Sequence, residues 1–177
     1  MLDAGAPELA GELRTLVHEI VVVDKPGDYP FGASSFQLWG ALFIRPKPSA
    51  GRVEIAEQLV HECAHALLFG FSMGKPLVEN EPQELYSSPL RPDPRPMDGV
   101  VHATYVIARM HYAVTRLLES GLLTQEEAHD AYERVRSTAQ GYAEGVAVVD
   151  SDARWTPPGE AALASAKAYM TANAVQG

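Results

Sequence analysis

Between residues 99 and 120 the chain is apolar on nearly every side of a helix, carrying Val100, Val101, Ala103, Val106, Ile107, Ala108, Met110, Ala113, Val114, Leu117 and Leu118. A helix that is greasy all round has to be covered all round. The pattern therefore predicts a helix through the middle of the core, capped by Asp98 and ended by Gly121, with the other segments wrapped around it. A chain of 177 residues is long enough to do this as one domain, hiding about two thirds or more of its unfolded surface.

The remaining segments supply the wrapping. Residues 6–16 read as a short helix, and His18-Glu19-Ile20-Val21-Val22-Val23 as a β-branched strand closed by Asp24-Lys25-Pro26-Gly27. A second extended stretch over 35–44 stops at Arg45-Pro46-Lys47-Pro48 and can pair with the first. From Arg52 to about Phe69 the period changes: Val53, Ala56, Val60, Ala64, Leu67 and Leu68 recur at helical spacing, with Gly70 as the expected stop. Six prolines between Lys75 and Pro96 forbid a long helix and predict an ordered loop anchored by Leu85, Tyr86 and Leu90. Thr124 with Glu127 forms a capping-box pattern for a helix to about Gln140, and Thr156-Pro157 opens a last, alanine-rich helix. The expected architecture over 1–177 is α+β: a mostly helical single domain with a small N-terminal β-sheet, and a central HExxH helix packed on the buried one.

Charge and cysteine content narrow the possible partners. Lys+Arg minus Asp+Glu is 14 − 23 = −9, with no basic cluster, which argues against nucleic acid and anionic membrane surfaces. A single cysteine, Cys63, excludes an internal disulfide and suits a reducing, cytoplasmic setting. No apolar run approaches the ~20 residues of a membrane span, and the acidic N-terminus lacks the basic start of a signal peptide.

Chemistry concentrates in His61-Glu62-Cys63-Ala64-His65. A separation of four puts both imidazoles on one helix face about one turn apart, where two nitrogens can converge on one ion. The bland alternative is a pair of surface histidines, but these flank the apolar stripe, where an unpaired imidazole is costly to bury. A third ligand is needed. The metzincin pattern is excluded, since Leu68 and Phe71 stand where it requires Gly and His. Glu79, Glu81 and Glu84 fall in the proline-rich segment rather than on a later helix, which weakens a thermolysin-like arrangement. His102, near the start of the buried helix, is the better candidate, because an imidazole among valines needs a partner. His111 lies nine residues on, about half a turn away at about 100° per residue, so only one of the two faces the HExxH helix. His18 and His129 read as structural or solvated. Arg91 and Arg95, stiffened by flanking prolines, can clasp a carboxylate with their guanidinium forks or simply pair with Asp93 or Asp98.

Taken together, Leu59-Val60-His61-Glu62-Cys63-Ala64-His65 and the run Tyr86-Ser87-Ser88-Pro89-Leu90-Arg91-Pro92-Asp93-Pro94-Arg95-Pro96-Met97-Asp98-Gly99-Val100-Val101-His102-Ala103-Thr104-Tyr105 resemble a known family. It is the HExxH-motif domain family of iron(II)- and 2-oxoglutarate-dependent peptide β-hydroxylases, which modify ribosomally synthesised natural-product peptides. The resemblance is strongest over 51–119 and extends weakly to Phe31-Gly32-Ala33-Ser34-Ser35. It implies iron(II) held by His61, His65 and His102, with 2-oxoglutarate bound through Arg91 or Arg95. Glu62 is then left to orient a ligand or to act as a weak one. The substrate would be a ribosomal precursor peptide, presented by a separate carrier or leader-binding protein, since no attached partner domain is recognisable.

Two competing readings stand beside this one. In a zinc HExxH metallopeptidase Glu62 is the general base. In a non-enzymatic module the histidines hold a structural ion, but Cys63, about 200° around the helix from His61, cannot join it.

Overall fold

The computed structural model describes residues 1–23 and 32–173, so the expected strand closure at Asp24-Lys25-Pro26-Gly27 and Phe31 lie outside the described residues. The architecture is α+β and mostly helical, as the sequence predicts. Two N-terminal helices, α1 (Leu2–Gly5) and α2 (Pro7–Leu16), precede a three-stranded sheet of β1 (Glu19–Val22), β2 (Gly32–Ser34) and β3 (Ala41–Ile44). The HExxH segment is helix α3 (Arg52–Ser72), followed by a hairpin of β4 (Leu85–Ser88) and β5 (Arg91–Pro96). Three long helices complete the chain: α4 (Met97–Glu119), α5 (Gln125–Asp152) and α6 (Pro157–Ala172). Among the described residues no helix is long and apolar enough to cross a membrane.

Helix α4 runs through the core as its all-round apolarity requires. Val100, Val106, Ala113, Val114 and Leu117 have no accessible surface, and α4 packs between α3 on one side and α5 and α6 on the other. It begins at Met97 behind Pro96, with no side-chain cap, so Asp98 sits inside the first turn instead of capping it. An acidic side chain there still meets the positive end of the helix dipole. The capping box of Thr124 and Glu127 forms as expected, and Thr156 caps α6 ahead of Pro157. Helix α5 runs a dozen residues beyond Gln140. Glycines that weaken a helix in isolation are used here for close packing: a Cβ on Gly145 would fall 2.4 Å from Thr104 Oγ1 of α4.

Three local expectations are corrected. Gly70 does not stop α3; the helix continues to Ser72 and ends at Met73, whose φ of 45° is left-handed, followed by Gly74 at 74°. Gly70 instead lies under the indole of Trp39. The stretch over 35–44 is not one strand, because Phe36–Leu38 winds into a 3-10 turn before β3 begins. The proline-rich segment is partly a hairpin, with Tyr86 opposite Arg95 and Ser88 opposite Arg91. Pro92 and Pro94 alternate with Arg91, Asp93 and Arg95, so their missing N–H groups fall on the outer edge, where a strand tolerates proline.

The sheet order is β1-β3-β2, with β1 parallel and β2 antiparallel to β3, and β3 leads directly into α3. At the other end of α3, residues 76–80 bridge to the α5–α6 turn: Val78 pairs with Trp155, and the Asn80 amide bonds Asp152 O, Tyr86 Oη and Arg154 N. This bridge leaves no room beside Gly159, where a Cβ would sit 1.9 Å from the Leu77 carbonyl oxygen. Gly159→Ala is therefore expected to cost about 1–3 kcal/mol, seen as a fall of several degrees in Tm. Gly11→Ala, in open space on α2, should raise Tm slightly, because alanine is the better helix former.

Candidate functional site

Helix α3 presents His61 and His65 one turn apart, with ring centroids 5.1 Å apart and planes at 67°. The start of α4 brings in His102, nearly coplanar with His65 at an interplanar angle of 20° and a centroid distance of 5.4 Å, so that their Nδ1 atoms face each other 3.1 Å apart. His111 instead bonds Tyr169 Oη of α6 through Nδ1 at 2.8 Å, so the expectation that only one α4 histidine faces α3 holds. His18 and His129 are exposed. Phe69, one turn beyond His65, stacks on that ring and tilts against His102 at 5.7 Å, while Phe36 meets Phe69 edge-on. One wall of the cluster is therefore aromatic.

Glu62 is almost wholly buried, hydrogen-bonded by the Ser34 hydroxyl of β2, with Oε1 3.8 Å from His61 Nε2. Gly32 lies directly opposite it: a Cβ there would fall 2.2 Å from Glu62 Oε1, so the carboxyl group would have to move. The second nitrogen of His61 is 3.3 Å from Met110 Sδ on α4. Met110, Phe69, Ser34 and Gly32 were not legible as site residues in the sequence. For Phe69 a signal existed, since it continues the i, i+4 row of His61 and His65.

Burial controls the electrostatics. It drives His61 down to about 4, helped by the Arg91 charge, and His65 down to about 3, helped by His61 and His102. His102 is also lowered by burial, against the pull of Asp98. All three rings are neutral near pH 7, the form in which imidazole binds metal. Burial pushes Glu62 up to about 7 against the Ser34 hydrogen bond. Cys63 faces the other way, toward Glu12, and its thiol is pushed up to about 12.

The arginines of β5 differ. Arg91 is exposed and its charge reaches His61. Arg95 Nε lies 3.1 Å from Asp93 Oδ2, an ion pair the sequence offered as the bland alternative, but too misaligned to count as a hydrogen bond. Glu84 is committed to Arg154 and Tyr86, and Glu79 and Glu81 are exposed.

Two neutral imidazoles on one helix face, with a carboxyl oxygen 3.8 Å from Nε2 of one of them, form a nitrogen and oxygen donor set that suits iron(II) or zinc. Among the described residues no three His, Cys, Asp or Glu side chains stand ready around one point, since His102 turns its Nδ1 onto His65. No family model matches the chain, and no curated protein matches it.

The buried titratable groups oppose one another in pH. A histidine whose folded pKa lies below its unfolded value near 6.5 destabilises the fold as pH falls through that window, whereas Glu62, raised from near 4.5, destabilises it as pH rises. His61, His65, His102 and the likewise lowered His111 outnumber Glu62 and the likewise raised Glu57, so the Tm of the metal-free protein is expected to fall between pH 6.5 and 4. In Glu62→Gln that fall should steepen between pH 6.5 and 4.5, because its opposing slope is gone. A Tm independent of pH across this range contradicts the burial of the cluster.

Proposed function

We propose that the chain is an iron(II)- and 2-oxoglutarate-dependent oxygenase that β-hydroxylates a residue of a ribosomal precursor peptide. The observation that carries this reading is the meeting of a buried cluster of neutral imidazoles with the Arg91 charge, presented from a proline-stiffened strand. His61 and His65 are the residues to hold iron, with His102 and Glu62 beside them. When bound, iron with 2-oxoglutarate and O2 supplies the oxidant that turns a substrate C–H into C–OH, giving succinate and CO2.

The protein's own groups bind, orient and exclude. Arg91, whose fork is not drawn to Asp93 as that of Arg95 is, takes the far carboxylate of the cosubstrate. Phe69 and Phe36 keep water from one side of the cluster, which strengthens every charge interaction inside it. The net charge of −9 favours a neutral or basic peptide, delivered by a carrier or leader-binding protein.

A zinc peptidase is the second reading, favoured by one observation: Glu62 lies 3.8 Å from His61 Nε2 and is pushed up to about 7, well placed for a general base at neutral pH.

The two readings separate cleanly by experiment. Protein loaded anaerobically with iron(II) is expected to develop a near-visible absorption band on addition of 2-oxoglutarate. With oxygen and a competent peptide it should form succinate and a product heavier by one oxygen atom. Arg91→Ala is expected to raise the KM for 2-oxoglutarate by about 10-fold or more while leaving the metal bound, as loss of a charge-assisted pair predicts. Zinc in the purified protein, no such band, and cleavage of a peptide without oxygen would move the assignment to the peptidase.

A further inference from the structure

Two contacts at the imidazole cluster decide which nitrogen of each ring carries its proton. A thioether has no hydrogen to give, so the 3.3 Å contact between His61 Nδ1 and Met110 Sδ is a hydrogen bond only with the proton on Nδ1. His61 Nε2 then keeps its lone pair, and this is the atom beside Glu62 Oε1. At His65, Nδ1 faces Nδ1 of His102 at 3.1 Å, so one ring must donate and the other accept. Asp98, one turn earlier on α4, sets the direction. Its Oδ2 lies 3.9 Å from His102 Nε2, and a carboxylate there favours the proton on Nε2, leaving His102 Nδ1 as the acceptor. His65 is thus the donor through Nδ1, and its Nε2 is also left with a free lone pair.

We propose that Met110 and His102 are positioning residues that lock His61 and His65 in the Nδ1–H tautomer, so that both motif rings offer Nε2 to a metal, and that His102 acts through His65 rather than on the ion. Metal-binding histidines generally have the second ring nitrogen held by such a partner, which fixes tautomer and ring orientation. Here the partners are unusual, a thioether and a second imidazole, which suits a wall where a charged carboxylate would be costly to bury. The third imidazole required by the sequence reading is present, then, but its nitrogen is spent on its neighbour. The consequence for metal binding rests on the metal-site reading above, while the tautomers themselves do not.

The test uses the full chain, labelled with 15N and free of metal. Long-range proton–nitrogen spectra of the imidazoles at neutral pH are expected to show His61 and His65 protonated at Nδ1 and bare at Nε2. Met110→Leu and His102→Phe, each close in shape to the original, should shift His61 and His65 respectively toward the Nε2–H form that free imidazole side chains prefer. In a cobalt(II) titration both variants are expected to lose about 10- to 100-fold in affinity, the usual cost of removing an orienting partner, whereas His65→Ala loses binding altogether. The proposal is overturned if the wild-type rings are Nε2–H. It is also overturned if His102→Phe abolishes cobalt binding as completely as His65→Ala does, which marks a direct ligand. Wild-type protein that shows the expected tautomers but binds no cobalt supports the tautomer assignment and counts against the metal reading alone.

Discussion

The site depends on one packing event, the seating of α3 against α4 that brings the Nδ1 edges of His65 and His102 together. Ala64 and Leu68 of α3 lie in the same core cluster as Val101 and Tyr105 of α4. Small and aliphatic side chains on the turns around the histidines let the two helices close until the rings meet. Closing them strips water from three imidazoles at once, and each ring then has to remain uncharged and find a partner within the cluster. Neutrality, fixed hydrogen bonding and readiness to bind a cation all follow from that desolvation.

The other elements act as buttresses to this contact. On one flank the N-terminal sheet delivers β2, whose Gly32 and Ser34 receive the Glu62 carboxyl group. On the other, the bridge from residues 76–80 to the α5–α6 turn anchors the base of the hairpin, so β5 carries Arg91 to the cluster on a backbone stiffened by proline. Ion pairs complete the shell, with Arg134 of α5 reaching Glu57 of α3 and Arg109 of α4 reaching Glu12 of α2. These partly buried pairs contribute orientation more than stability.

Much of the helical frame was legible in the sequence. The capping box at Thr124, the Thr156-Pro157 start and the periodicity of α3 are local signals, and each element formed where its signal lay. The corrected elements are those whose residues were judged without their neighbours. Gly70 weakens a helix when judged alone, yet α3 runs through it and packs it under Trp39. The prolines of β5 suggested a loop, but a two-stranded ribbon has an outer edge that asks for no donors. In the site, His61 and His65 could be placed on one helix face from spacing alone, whereas Met110 looked like one more apolar residue of α4.

The sequence by itself determined that two imidazoles would share a helix face and that a wholly apolar helix would run through the core, because helical periodicity converts spacing directly into direction. Only the tertiary structure decided which nitrogen of each imidazole is engaged, that Arg95 rather than Arg91 lies beside Asp93, and that Glu62 packs against Gly32. Those outcomes depend on which side chains from distant segments arrive within a few ångströms of one another. Such proximity is set by how whole helices and strands pack, and no local periodicity encodes it.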